Sequence, residues 1–238
     1  MTKTAAPMTS GSIWKQMTFF AMPIFLGNLF QQLYNTVDSL IVGNFLGSSA
    51  LAAVSSSGSL IFMLIGFLSG ISAGAGVIVA RFFGAGDEKN LQRAVHTTVA
   101  FGLVAGVLMT GVGVALSPQI LRWMDTPESV MRESVTYLQI YFAGSLGFVM
   151  YNVLVGILQA VGDSRHPLYY LIVSSVINLV LDLLFITGFH TGVGGAAVAT
   201  VISQIVSALL CFWQLLRTKE SYGSVSYTHL RAHETRGN

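Results

Sequence analysis

The sequence predicts an all-α polytopic membrane protein, a bundle of six transmembrane helices, and three observations carry that reading. Hydrophobic residues make up 53% of the 238 and charged residues only 9%, where soluble chains carry about a quarter charged. The mean hydropathy is +0.68. The apolar residues gather into six runs, at 19–45, 51–80, 94–116, 135–160, 168–188 and 193–216, each able to supply the roughly 20 residues that cross a bilayer.

Charge placement supports the threading. Lys3, Lys15, Arg81, Lys89, Arg93, Arg165, Arg217 and Lys219 fall on one side of a six-span path, and only Arg122 and Arg132 on the other. The positive-inside rule then places the N-terminus and the end of the sixth helix in the cytoplasm. The formal charge of +2 does not point to nucleic acid, because the Lys and Arg form short clusters between apolar runs and no continuous basic face. The single cysteine, Cys211, leaves no intramolecular disulfide, and no CxxC or His/Cys group has metal-ligand spacing. The polar N-terminus lacks the pattern of a removable signal peptide.

In the first span Pro23 removes a backbone donor and crowds the preceding turn, which predicts a kink usable as a hinge. The alternative is that Pro is common in membrane helices and has no mechanical role here. Gln31, Tyr34, Asn35 and Asp38 stand at i, i+3, i+4 and i+7, one helical face. Such a stripe avoids lipid and is expected to line a cavity. Gly66, Gly70 and Gly74 in the second span, and Gly102 and Gly106 in the third, have the spacing of close helix packing. The RFFGAGDEKNLQR loop between them reads as a turn and a helix start. It lacks the GxxxxGK[ST] of a phosphate loop.

The fourth span carries Asn152 and Gln159 and ends in the turn VGDSRHP, where His166 reads as interfacial. The fifth places Ser175, Asn178 and Asp182 on one face. The sixth opens with GVGGAA and presents Thr200, Ser203, Gln204 and Ser207. Asp38 and Asp182 are the only acids inside apolar runs, and each costs roughly 2.5–3.5 kcal/mol at a helix centre unless it faces a bundle interior. Asp38, Asp182 and Thr200 each lie about six residues, about 9 Å, from the outer end of their spans. Three helices thus deliver oxygen atoms to one level. Such atoms suit a hard cation such as Na⁺, and buried carboxyl groups suit H⁺. A purely structural polar cluster is the competing reading.

PIFLGNLFQQLYNTVDSLIVGNFLG, ARFFGAGDEKNLQRAV, GILQAVGDSRHP, INLVLDLLFI and GVGGAAVAT together resemble the amino-terminal half of a multidrug and toxic compound extrusion (MATE) transporter, over about residues 13–218. The resemblance implies a cation site at Asp38, Asn152, Asn178, Asp182 and Thr200, with Pro23 at the first-helix bend. It implies a transporter of amphipathic or cationic drugs, not an enzyme, in a bacterial-type cytoplasmic membrane, with Na⁺ or H⁺ as coupling ion and no other cofactor. Family members have two related lobes, so a C-terminal lobe is the expected missing partner. The expected division is a cytoplasmic segment at 1–16, a six-helix lobe at 17–218, and a polar tail at 219–238 resembling a translated cloning scar. A lipid-linked saccharide flippase of the same broad superfamily is an alternative, although it favours a cationic groove. An intramembrane aspartyl protease also needs two membrane carboxyls, but its YD and GxGD contexts are absent around Asp38 and Asp182.

The charge bias makes a topology prediction. In a Cys211→Ala background, cysteines at positions 89 and 165 should react only from the cytoplasmic side and those at 122 and 132 only from outside. Reaction of position 122 from the cytoplasm alone would contradict the threading.

Overall fold

Where the surroundings offer no water, every backbone N–H and C=O must find a partner inside the protein, and a helix provides these partners within one segment. The computed structural model describes residues 12–217, and the described residues form helices joined by short turns, with no strand. In chain order they are α1 (Ile13–Leu46), α2 (Ser48–Gly84), α3 (Glu88–Trp123), α4 (Glu128–Ala143), α5 (Ser145–Ala160), α6 (Arg165–Leu183) and α7 (Val193–Arg217), with a π-helical turn at Leu184–Gly188 continuing α6. Residues 1–11 and 218–238 lie outside the described residues, and with them Lys3, Lys219 and the expected polar tail.

The first three helices have 34, 37 and 36 residues, about 50–56 Å at 1.5 Å per residue, so they outreach the hydrocarbon layer. By length and apolarity α2, α3, α6 with its π turn, and α7 can each cross a membrane, and α4 with α5 makes a fifth, broken span. The remaining predicted span is α1, which is long enough but diluted by Gln31, Gln32, Asn35 and Asp38. It runs as one helix through Pro23.

Two expectations need correction. The run 135–160 is not one straight span: it begins at Glu128, breaks at Gly144 and bends by 50°. The Gly144 N–H bonds back to Ile140 and Tyr141 carbonyls, and a side chain there would collide with Val201 of α7. The break therefore sits where α7 comes too close for any other residue. The second correction concerns Gly66, Gly70 and Gly74. A Cβ on any of them would meet nothing within 4 Å, whereas one on Gly106 would come within 2.7 Å of Leu146. The α3 glycines pack against α5, but the α2 stripe faces open space.

The bent helix is the hub. α5 lies against α2, α3 and α7, while α1 packs on α6 and α2. Around α5, Phe148, Val153, Leu154, Ile157 and Leu158 interlock with Leu91 and Val95 of α3 and with Cys211 and Leu215 of α7. A second apolar cluster joins Ile41 and Val42 to Ala50, Tyr137, Ile186, Ala196 and Ala197. Between α2 and α3, Gly86 takes φ +66° and Asp87 caps α3, accepting from the Asn90 N–H at 3.1 Å and its side-chain amide at 2.7 Å. Those two bonds hold the Asp87 carboxyl below its ordinary range. The alternation of helices gathers exposed Lys15, Arg81, Lys89, Arg93, Arg165 and Arg217 near one set of helix ends, and exposed Arg122 and Arg132 near the other.

The glycine contrast can be measured. Gly144→Leu should lower the thermal transition of the purified chain, since overpacking of this kind costs about 1–3 kcal/mol. Gly70→Ala should leave the transition unchanged or raise it slightly, because Ala is the better helix former and space is free. Equal effects at the two positions would contradict this packing.

Candidate functional site

Helical spacing places Ser174, Asn178 and Asp182 one above another on α6, and Thr200, Ser203 and Ser207 on α7. The two rows face each other. Asp182 is 0% exposed, Asn178 1%, Thr200 6% and Asp38, which comes in from α1, 9%. The Asn178 amide is oriented by its neighbours: its nitrogen donates to Asp182 Oδ2 at 2.9 Å and its oxygen accepts from the Thr200 N–H at 3.2 Å. The opposite rotation offers only a 3.5 Å contact with Thr200 Oγ1. Asn178 therefore ties α6 to α7 at the level of the acid.

The Asp38 and Asp182 carboxyl groups are neighbours inside the bundle, each in the other's field. Two such groups repel unless something positive, a proton or a metal cation, lies between them. One oxygen of each, Asp38 Oδ1 and Asp182 Oδ1, is buried without a hydrogen-bond partner among the described residues, although buried polar atoms are nearly always paired. The donor set is two carboxylates with amide and hydroxyl oxygens. No group of three His, Cys, Asp or Glu occurs among the described residues. Oxygen atoms alone suit a hard cation, and a facing carboxyl pair suits a shared proton.

Two tyrosines border the pair. Tyr34, one turn before Asp38 on α1, and Tyr137, from α4, lie within the field of both carboxylates. The Tyr137 ring stacks at 6.5 Å on Tyr141, and both of these α4 rings are buried. Sequence reasoning missed Tyr137 and Tyr141. Their i, i+4 spacing in YLQIY, just before Gly144, was the available signal. It also missed the π turn that follows Asp182 directly, a distortion frequent at functional sites.

Other predicted residues lie elsewhere. Asn152 donates to its own helix at Phe148 O, 2.9 Å away, and lines a groove of 530 Å³ between α1, α2, α5 and α6, together with Pro23, Gln31, Ser72 and Gln159. Among the described residues, no charged side chain lines this groove. Asn35 is exposed, and on α6 Ser174 is the buried serine, with Ser175 half-buried. Gln204 is half-buried, and its side-chain oxygen has no hydrogen-bond partner among the described residues. His166 is more than interfacial: its ring nitrogen pairs with Asp163 at 2.6 Å while Asp163 also accepts from the His166 N–H, which starts α6.

The MatE family model matches residues 23–184. The chain is 37% identical over 212 residues to the probable multidrug resistance protein YoeA of Bacillus subtilis, covering 87% of this chain and 46% of that protein. It is 34% identical to the probable multidrug resistance protein YpnP of the same organism, over 90% of this chain and 48% of the other. A solved structure of a multidrug resistance MATE family transporter of the MOP superfamily, in an outward-facing conformation, superposes with a TM-score of 0.86 at 27% identity, over 98% of this chain and 50% of that one. The chain thus spans about half the length of the relatives it matches.

Asn178→Ala would leave the buried Asp182 carboxylate without its donor. A hydrogen bond to a charged group contributes about 1.5–3 kcal/mol, and the same side chain ties α6 to α7, so Asn178→Ala should lower the thermal transition of the purified chain by several degrees. An unchanged transition would show that Asn178 does not serve the buried carboxylate.

Proposed function

We propose that this chain, which belongs to the multidrug and toxic compound extrusion (MATE) family of transporters, is the cation-coupling lobe of a drug efflux antiporter in a bacterial plasma membrane. One observation carries the reading: Asp38 and Asp182 face each other inside the bundle, each with an oxygen left unpaired among the described residues. A structural cluster would pair those atoms. A coupling site leaves them for the ion.

Na⁺ or H⁺ enters from the end that bears Arg122 and Arg132, which the charge bias makes the outside. Asp182 and Asn178 hold it on α6, Thr200 adds an oxygen from α7, and Asp38 closes over it from α1. Binding thus draws α1 toward α6 and α7. Pro23 lies 15 residues before Asp38, about 22 Å along the helix, and supplies the hinge for that movement. Gln31 and Tyr34 lie between hinge and ion, so movement of α1 reshapes the groove that Gln31, Asn152 and Gln159 line. A bound amphipathic drug is released as its wall shifts. Alternating access of this kind rocks one repeat against another.

A second lobe would supply the opposing wall. Exposed Phe62, Met63 and Phe67 on α2, beside the open Gly66 and Gly70, offer it a face. The absence of any charge in the groove lining favours a drug over the anionic saccharide carrier of a flippase. Family membership favours transport over aspartyl proteolysis.

In a two-lobed protein with this sequence as its first half, Asp182→Asn and Asp38→Asn should each reduce ion-driven ethidium efflux from membrane vesicles to background, with insertion and expression retained. Gradient-driven efflux at normal rates by both variants would overturn the assignment.

A further inference from the structure

The polar groove uses one face of α5, and the opposite face forms the floor of a second groove of 600 Å³ between α3 and α7. Met150 and Leu154 make the floor, Val99 and Leu103 one wall, and Leu209 and Phe212 the other. Gly144 and Gly147, at the break in the bent helix, line its far end, where α7 comes close to α5. The lining is apolar except for His96, which sits at the α3 N-terminal mouth. Positions 93, 96 and 100 are i, i+3 and i+7 on that helix, so exposed Arg93 extends the same stripe outward. Arg217 ends α7 near the same end, its guanidinium 4.9 Å from the Trp213 ring centre.

An occupant of this groove must be apolar along its body and anionic at one end. It must also reach the groove from the side, since the walls are membrane helices. The apolar run of α3 begins at position 94, so the mouth lies at the level where hydrocarbon gives way to headgroups. We propose that the α3–α7 groove seats one acyl chain of an anionic phospholipid whose phosphate is held by Arg93 and His96. Arg93 provides a permanent charge and a two-pronged donor for phosphate oxygens, and His96 adds a ring N–H. The phosphate of a zwitterionic lipid is partly neutralised by its own amine, so the mouth selects net negative headgroups. Because α5 is shared, the lipid would brace the hub of the bundle from the side opposite the polar groove.

The purified full chain in detergent, titrated with dioleoyl phosphatidylglycerol or dioleoyl phosphatidylcholine and weighed intact in the gas phase, tests this directly. Phosphatidylglycerol should be retained about fivefold or more over phosphatidylcholine, and the preference should fall to parity in Arg93→Gln/His96→Gln, both exposed positions. Ala100→Trp, which fills the groove from its open rim, should abolish retention of both lipids while the lipid-free melting temperature stays unchanged. Equal retention of the two lipids by the unaltered chain would overturn the proposal, as would a preference that survives the double substitution. A dimer that Ala100→Trp dissociates would also overturn it and show that a second copy covers the groove.

Discussion

Two carboxyl groups inside an apolar helix bundle set the terms that the rest of this lobe has to meet. Each is costly in hydrocarbon, and the cost falls only if neighbours shield and pair it. The protein answers with Asn178, which binds Asp182 and α7 at once, with the buried Tyr137 of α4 and with the half-buried Tyr34 of α1. Among the described residues the pairing stops one oxygen short on each acid. That shortfall is the feature on which the proposed cation site rests.

The bend at Gly144 lets one chain segment do two different things. Before it, α4 brings Tyr137 to the acids, with Tyr141 stacked on its ring. After it, α5 turns one face to the polar groove and the other to the apolar one. A straight helix would carry a single stripe past both. The price of the bend is small, because a glycine already has to sit there to admit Val201.

The outer surface divides in the same spirit. The α1–α2 side is polar in its groove and apolar around it, with open glycines on α2 and exposed Phe62 and Phe67. The α3–α7 groove is apolar except for His96, with exposed Arg93 on the same stripe outside it. The two sides lie across α5 from one another, so a change in packing at the hub would be felt by both. The chain spans about half the length of the relatives it matches.

Much of this was readable from residue order alone, for a physical reason. Lipid forces helices, helices impose a 3.6-residue period, and a carboxylate within an apolar run is too expensive to be incidental. Asp38, Asn178, Asp182 and Thr200 could therefore be grouped by depth and face before any fold was known. What depended on tertiary structure was rotation and approach. Ser174 and Ser175 are adjacent, and only the azimuth of α6 against α7 makes Ser174 the buried one. Asn152 is a polar residue in an apolar helix, just as Asn178 is, yet the bend at Gly144 aims it at the groove and not at the acids. The evenly spaced glycines of α2 and α3 look alike in sequence, but only those of α3 meet a neighbour. Tyr137 and Tyr141 were unremarked because aromatic rings suit lipid, core and site equally well. Periodicity says which side chains share a face, and only packing says what that face meets.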